Sequence, residues 1–268
     1  MTVEFWRSLG QGTLILEYPL VSGERDSNRR AVDALIVLDG EFARCAWQDA
    51  PDLAGRRVMV VQTKAYRTDA ALVGQAVFSP ILLRRRHPSI RSIESVLLSP
   101  SPEPVLSDLL ERHGVKEVTV PGPIVKVTRI KLPGASDADL NTVHDRLGGE
   151  MLTGVQLPPD SPQRPVLRVD AVIFPDRPKK RTVSGAPVPA SQLLLGARAI
   201  AIVSTRHPLG MYVSGFALVA QHLLRMAGAV DPRAIALVGK EDRALEYALS
   251  KFPGLSTELI ASAAQGRS

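Results

Sequence analysis

Residues 31–38 read AVDALIVL and residues 58–64 read VMVVQTK, and these two apolar runs decide the fold of the chain. Each run is rich in β-branched residues and is bounded by glycine or charged residues, which predicts two buried β-strands. Asp33 interrupts the first run. Gln62 and Lys64 lie two positions apart in the second run, so we expect their side chains to leave that strand on one face.

The apolar pattern around these two runs predicts an α/β fold. A short helix at about 2–10 and a strand at 13–20, which carries Glu17, come first. Apolar residues at helical spacing predict a helix over about 68–86. A strand, a helix closed by a glycine and another strand follow at 93–98, 104–113 and 115–120. The order α-β-β-β-α-β-α-β is typical of a mixed central sheet flanked by helices.

The same pattern starts again beyond a Pro/Gly-rich segment at 121–134, which predicts an inter-domain joint. Residues 166–174 read VLRVDAVIF and resemble the first run, with Asp170 in the place of Asp33. Residues 199–206 read AIAIVSTR and resemble the second run. Because strands and helices match at one constant sequence offset, we interpret the chain as a tandem duplication. Two α/β halves that share only generic periodicity are the alternative interpretation.

The two copies differ in their polar residues. Under the constant offset, Gln62 aligns with Ser204 and Lys64 aligns with Arg206. An arginine stays protonated at any working pH and cannot act as a base, although its guanidinium can bind a phosphate. The second copy is therefore predicted to be degenerate and non-catalytic, with Asp170 as the carboxylate that it retains.

The net charge of +6 favours a polyanionic partner such as nucleic acid, although a solvated basic surface explains the charge equally well. Acidic and basic residues balance within 1–123, the first predicted domain. The whole basic excess therefore lies in 124–268, the second predicted domain. Lys179, Lys180 and Arg181 in this half are candidate contacts to the phosphates of a nucleic acid. Arg206, Arg29 and Arg30 complete the candidate set.

The composition argues against several function classes. Aromatic residues make up only 4% of the chain, which argues against a platform for stacking bases. The single cysteine, Cys45, excludes an intramolecular disulfide and a zinc site built from several cysteines, and it favours a reducing, cytoplasmic location. The N-terminal segment lacks the apolar core of a signal peptide, and no apolar run reaches the length of a membrane span. No membrane partner is expected.

The first half, over about residues 2–120, resembles the PD-(D/E)XK nuclease superfamily. The resemblance rests on a strand-borne acid, Asp33, and a Gln-x-Lys motif, Gln62 to Lys64, on the next apolar strand. Mrr-type restriction enzymes within that superfamily carry a similar Gln-x-Lys. The further matching positions are Glu17 in the first predicted strand and Gly74-Gln75 in the helix that follows.

The resemblance implies two restriction-endonuclease-like domains, a divalent cation (Mg²⁺ or Mn²⁺) and hydrolysis of phosphodiester bonds in nucleic acid, with DNA favoured. Asp33 would be the principal metal ligand, and Gln62 would take the place of a second carboxylate ligand. Glu17 would support a ligand or a water molecule. Lys64 would orient or activate the attacking water, or stabilise the charge that develops on phosphorus.

Gln62 departs from the superfamily, because most members have Asp or Glu there and an amide oxygen brings no charge to a cation. The alternative function is a non-catalytic nucleic-acid-binding or assembly protein that retains the nuclease fold. Structural roles also remain open: Asp33 could pair with Arg29 or Arg30, and Gln62 and Lys64 could lie on a solvated strand face. Homo-oligomer formation and the choice between endonuclease and exonuclease are left open.

Overall fold

The chain forms two compact α/β units, residues 1–129 and 130–268, each built on a mixed six-stranded sheet flanked by helices. The α/β class predicted from the sequence is confirmed. The computed structural model describes residues 1–21, 30–65, 67–121, 135–157, 167–183, 194–205, 210–239 and 241–259. Within these ranges, the description of 180–183, 205 and 210–212 is confined to the backbone.

The first unit has a sheet with the strand order β3-β1-β2-β4-β5-β6. Strands β1, β2 and β4 are antiparallel neighbours, β4, β5 and β6 are parallel, and the short β3 runs parallel to β1 at the edge. The elements are α1 (Thr2–Leu9), β1 (Thr13–Val21), β2 (Arg30–Val37), β3 (Arg44–Cys45), a 3₁₀ turn (Trp47–Asp49), β4 (Arg57–Thr63), α2 (Ala70–Arg86), β5 (Ser92–Ser99), α3 (Pro104–Arg112) and β6 (Val115–Thr119).

The second unit repeats this arrangement with the strand order β11-β7-β10-β12-β13-β14, and each neighbouring pair has the same sense as its counterpart. A two-stranded sheet, β8-β9, extends the β7–β10 hairpin. The elements are α4 (Asp137–Leu147), β7 (Glu150–Thr153), β8 (Gln156–Leu157), β9 (Leu167–Arg168), β10 (Ala171–Phe174), β11 (Lys180–Val183), β12 (Arg198–Thr205), α5 (Gly210–Met226), β13 (Val230–Val238), α6 (Arg243–Leu249) and β14 (Leu255–Leu259).

Helices α1 and α2 cover opposite faces of the first sheet. Met59 and Val61 in β4 pack in one cluster with Trp6 of α1. Gln62, the next residue along the strand, donates a hydrogen bond to Ser79 of α2. Successive side chains of a strand point to opposite faces, so the odd-numbered residues of β4 face α1 and the even-numbered ones face α2.

The β1–β2 hairpin has a break at Glu17, which has a left-handed backbone with φ of 50°. Leu16 pairs with Ala34 and packs beneath α1, whereas Tyr18 places its hydroxyl 2.9 Å from Nε2 of His87 at the end of α2. Leu16 and Tyr18 would share a face in a regular strand, but here their side chains lie on opposite faces of the sheet. Unit 2 has the same break, because Gly154 has φ of 66° between β7 and β8.

Candidate functional site

A cavity of about 990 Å³ opens in the first unit between the start of α1, the β1–β2 hairpin and the segment 44–47. Asp33 and Glu17 both line it, and so does Thr63 at the end of β4. The structure therefore brings together two of the four catalytic residues expected from the sequence. The cavity lies on the face of the sheet that α1 covers, since Leu14 and Leu16 line it and also pack in the cluster around Trp6.

Asp33 is held at the cavity wall by the end of β4. Regular pairing of β2 with β4 stops at Ala34 and Val61, so the backbone N–H of Thr63 bonds to a side chain instead. Oδ2 of Asp33 accepts a hydrogen bond from Thr63 N at 2.6 Å and another from Thr63 Oγ1 at 3.2 Å. Both bonds engage one carboxylate oxygen and fix the half-buried side chain, so Oδ1 remains the natural ligand atom for a cation.

Glu17 reaches the same cavity because of the break in β1. It falls between the pairs Leu16–Ala34 and Tyr18–Val32, which places it opposite Asp33 on the neighbouring strand. Its side chain is exposed. A non-glycine residue with positive φ in a strand is uncommon and costs about 1–2 kcal/mol. Here the conformation supplies a second carboxylate beside Asp33.

Gln62 does not join this site, which corrects the expectation that it would bind a metal ion with Asp33. Its side chain is only 2% exposed, and Nε2 donates a hydrogen bond to Ser79 Oγ at 3.0 Å. Thr63 faces Asp33, so the adjacent Gln62 must face α2. The amide is a buried, bonded part of the packing between β4 and α2.

Lys64 follows directly after β4, and its backbone N–H continues the ladder by donating to Leu98 O at 3.1 Å. It is not among the residues that line the cavity of Asp33. The Gly74-Gln75 pair lies within α2, as the sequence predicted. The structure therefore separates Gln62 from the acidic pair of Asp33 and Glu17, and Lys64 is not one of the residues that line their cavity.

Residues 44–47, in the segment after β2, line the cavity, and three of them carry functional side chains that were missed from the sequence. Arg44 brings an exposed guanidinium, Cys45 a thiol and Trp47 an indole that is 41% exposed. Burial raises the pKa of the Cys45 thiol, which disfavours the nucleophilic thiolate. These residues belong to no recognisable motif, and only the pairing of β3 with β1 brings them to the site.

The second unit has a carboxylate in the equivalent position, but with different neighbours. Oδ2 of Asp170 accepts a hydrogen bond from Ser204 Oγ at 2.7 Å, as Asp33 does from Thr63. The structure therefore matches Ser204 with Thr63, one residue away from the match with Gln62 inferred from the sequence. Burial raises the pKa of Asp170, and this outweighs the lowering by its bonds to Ser204.

Gly154 stands in unit 2 where unit 1 has Glu17, so the second carboxylate is missing there. A Cβ atom on Gly154 would lie 3.1 Å from Nη2 of Arg168. The positive charge of Arg168 also lowers the pKa of Asp170, against the larger effect of burial. The Arg168 guanidinium therefore lies close to Gly154, the position where unit 1 has Glu17, and its charge acts on Asp170.

The candidate nucleic-acid contacts have mixed outcomes. Lys179 is exposed and forms an ion pair with Asp145 at 2.8 Å. Arg30 is only 7% exposed, which corrects its assignment to a nucleic-acid-binding surface, because a buried guanidinium cannot reach a phosphate backbone. Lys180 and Arg181 belong to the edge strand β11, and their side chains are outside the described part of the chain. Arg29 and Arg206 lie outside the described residues.

In the described part of the chain, no three His, Cys, Asp or Glu side chains form a group that could hold a metal ion by themselves. Glu4 also lines the cavity, but its carboxylate is paired with the amino group of Met1. None of the helices in the described ranges is both long and apolar enough to cross a membrane. No protein-family model, curated protein or solved structure matches the chain.

Proposed function

We propose that the chain is a metal-dependent nuclease whose reaction centre is the cavity lined by Asp33 and Glu17. The observation that supports this most directly is the convergence of two carboxylates from adjacent antiparallel strands on one cavity, with the Arg44 guanidinium at the same cavity. Carboxylate oxygens suit a hard divalent cation, and a guanidinium suits a phosphate. The combination is suited to hydrolysis of a phosphodiester bond in nucleic acid, with DNA favoured.

Mg²⁺ or Mn²⁺ is the proposed cofactor, and the residues present fit it. Mg²⁺ is commonly bound by one or two carboxylates, with waters and substrate phosphate oxygens as the other ligands. Asp33 and Glu17 supply that number of carboxylates, so a third protein ligand is not required. Such an ion polarises the phosphoryl oxygen and lowers the pKa of a bound water.

The chain's own residues have distinct roles in this proposal. Thr63 positions Asp33 through the two hydrogen bonds to Oδ2, so the carboxylate needs no reorganisation when a cation binds. Arg44 binds the scissile phosphate and stabilises the charge that develops on it. Gln62 contributes to the packing beneath α2 and has no part in the reaction centre.

The first prediction is that Asp33→Asn abolishes cleavage and that Asp170→Asn does not. Both substitutions remove the charge of a carboxylate that bonds to a Thr or Ser near the end of β4 or β12, the fourth strand of each sheet, so each is a structural control for the other. We expect Asp33→Asn to lower the rate by at least about 100-fold, as when an electrostatic contribution to a transition state is lost. The assay uses single-stranded, double-stranded and branched DNA, and RNA, with Mg²⁺ or Mn²⁺.

Equal losses in the two variants, after correction for the folded fraction by circular dichroism, would show that the effect of Asp33→Asn is structural. Glu17→Gln should raise the metal concentration needed for half-maximal cleavage, since it removes one of the two carboxylates proposed to hold the ion. An enzyme that retains full activity in EDTA would also rule out the proposal.

The second candidate is a non-catalytic nucleic-acid-binding or assembly protein that retains the fold. The position of Gln62 favours it, because the motif on which the resemblance rests does not reach Asp33. Nucleic-acid binding without cleavage of any substrate, in both metals, would support this candidate. A location in a reducing, cytoplasmic compartment stays part of the proposal, in agreement with the free thiol of Cys45.

A further inference from the structure

Trp47 is an exposed aromatic residue at the wall of the proposed reaction centre. Its side chain is 41% exposed, and it lines the same cavity as Asp33, Glu17 and Arg44. The other tryptophan of the chain, Trp6, is only 5% exposed, and its Nε1 donates to Gly12 O at 2.8 Å. Trp6 is therefore a packed core residue, whereas Trp47 presents an indole to the solvent beside the site.

The backbone that carries Trp47 is well defined by hydrogen bonds. Trp47 begins a 3₁₀ turn in which Asp49 N donates to Ala46 O at 3.1 Å. Just before this turn, β3 pairs with β1, the strand that carries Glu17. The indole is thus held on a short turn connected directly to the carboxylate-bearing hairpin.

Phe42 provides a contrast within the same segment. Its side chain is 54% exposed, but its ring stacks on Trp6 with centroids 4.3 Å apart and planes inclined by 22°. Packing against the core therefore explains where Phe42 lies. Phe42 does not line the cavity, so the two exposed aromatic residues of this segment have different surroundings.

We propose that Trp47 stacks on an unpaired base of the substrate while Arg44 binds the adjoining phosphate. This inference rests on the proposed function, and it names the substrate class as single-stranded nucleic acid or a duplex with unpaired nucleotides at the cleavage point. A base inside a duplex has both faces covered by its neighbours, so stacking on a side chain requires an unpaired base. The exposed indole beside a guanidinium and two carboxylates is the arrangement that carries the inference.

A subsite for one base is compatible with the low aromatic content of the chain. A low aromatic content argues against a multi-residue stacking platform, but a subsite for one base needs only one aromatic side chain. A cation beside it neutralises the phosphate that the stacked nucleotide brings. Trp47 supplies the aromatic side chain and Arg44 supplies the cation, and both line one cavity.

The test measures binding of the full chain to a single-stranded oligonucleotide and to a blunt duplex of the same sequence, in EDTA so that cleavage does not interfere. Stacking on Trp47 should quench tryptophan fluorescence with the single strand and not with the duplex. Trp47→Ala should weaken single-strand binding about 5- to 100-fold, the range found when one stacking aromatic is removed. Trp47→Phe should restore most of the affinity, and Phe42→Ala should leave it unchanged.

The outcomes separate this inference from the proposed function. Selective single-strand binding that depends on Trp47, without cleavage in any metal, would uphold the inference and reject the nuclease. Cleavage with equal KM in the parent and Trp47→Ala would uphold the nuclease and overturn the inference. Equal affinity for duplex and single strand, equal losses in Trp47→Ala and Phe42→Ala, or no binding to either oligonucleotide would each overturn the inference as well.

Discussion

At the scale of single residues, Asp33 and Asp170 have the same backbone surroundings but neighbours of opposite charge. Each carboxylate accepts a hydrogen bond from a hydroxyl near the end of the fourth strand of its sheet, β4 or β12. Asp33 shares its cavity with Glu17, which lies on the neighbouring strand. Asp170 has Arg168 nearby, which supplies a positive charge from the chain itself. The charge near the aspartate therefore differs between the units because unit 1 has Glu17 and unit 2 has Arg168 close to it.

The raised pKa of Asp170 predicts how stability changes with pH. Because burial raises its pKa in the folded state, the folded chain binds more protons than the unfolded chain in the range just above pH 3.8. The contribution of Asp170 to the free energy of unfolding should therefore become more favourable as the pH falls from 7 towards 4. Asp170→Asn cannot take up this proton, so the parent should gain stability relative to the variant over that range. Urea unfolding at pH 7 and pH 4 measures the difference.

Asp145 provides a control of opposite sign in the same unit. Its hydrogen bond to Lys179 lowers the pKa of this exposed carboxylate. Its stabilising contribution is present at neutral pH and is lost as the pH falls through its folded-state pKa. Asp145→Asn should therefore converge with the parent at low pH. If the difference in free energy of unfolding between parent and variant changed with pH in the same direction for both variants, the assignment of the raised pKa to Asp170 would be wrong.

At the scale of elements, both units enter their first sheet strand through the same helix-to-strand junction. Gly12 follows α1 with φ of 84°, and a Cβ atom there would lie 2.7 Å from Val37 O. Gly149 follows α4 with φ of 77°, and its Cβ atom would lie 2.1 Å from Phe174 O. In each unit the glycine abuts the last residue of the second strand of the hairpin. Only glycine allows this close approach of two backbones.

Gly149→Ala should therefore destabilise the second unit severely, with a loss that exceeds about 3 kcal/mol because a buried backbone contact must open. Gly148→Ala is the matched control. Gly148 also has positive φ, 70°, but a Cβ atom there would have nothing within 4 Å. Its ψ of −165° places Gly148 in a backbone region that is essentially restricted to glycine, so that substitution should cost the conformational strain alone, about 1–3 kcal/mol. Equal losses in denaturant unfolding would mean that the close approach to Phe174 does not constrain the junction.

The elements were largely predictable from the sequence, whereas the composition of the site was not. The helix predicted at 104–113 agrees with α3 (Pro104–Arg112) within one residue, because Gly114, with φ of 67°, closes it as expected. Period-two alternation correctly separates Gln62 from Thr63, but it cannot say which of them shares a face with Asp33. Which of the two residues shares a face with Asp33 depends on the break at Glu17. This break could not be predicted, because no sequence pattern marks a glutamate with a left-handed backbone. The positions of Arg44 and Trp47 at the cavity depend on the pairing of β3, and a strand of two residues is too short to show a periodic pattern in the sequence.

At the scale of the whole molecule, the two units share strand order, strand sense, the break in the first hairpin and the glycine junction. A hydrogen bond from an aromatic side chain of the first helix to the following loop also recurs. Trp6 Nε1 donates to Gly12 O at 2.8 Å, and His144 Nε2 lies 2.8 Å from Gly149 O. These matched details agree with the tandem duplication predicted from the sequence, which stays a prediction.

The distribution of charge predicts a division of labour between the units. Because the basic excess lies entirely in 124–268, neutralising cations there should weaken nucleic-acid binding and flatten its dependence on salt. Removing one cation that binds a phosphate should reduce the slope of log K against log salt by about 0.7–0.9. Cleavage at saturating substrate should change little, since Asp33 and Glu17 are untouched. The test variant replaces four cations by glutamine: Lys179, Lys180, Arg181 and Arg206.

A control with the same change in net charge removes four cations from the first unit, so it separates local contacts from the long-range field. Lys179 must give up its ion pair with Asp145 to bind a phosphate, which should reduce its contribution to the slope. Equal weakening in the two variants would show that net charge, and not a docking surface on the second unit, drives association. The control replaces exposed arginines of the first unit: Arg56, Arg57, Arg91 and Arg112.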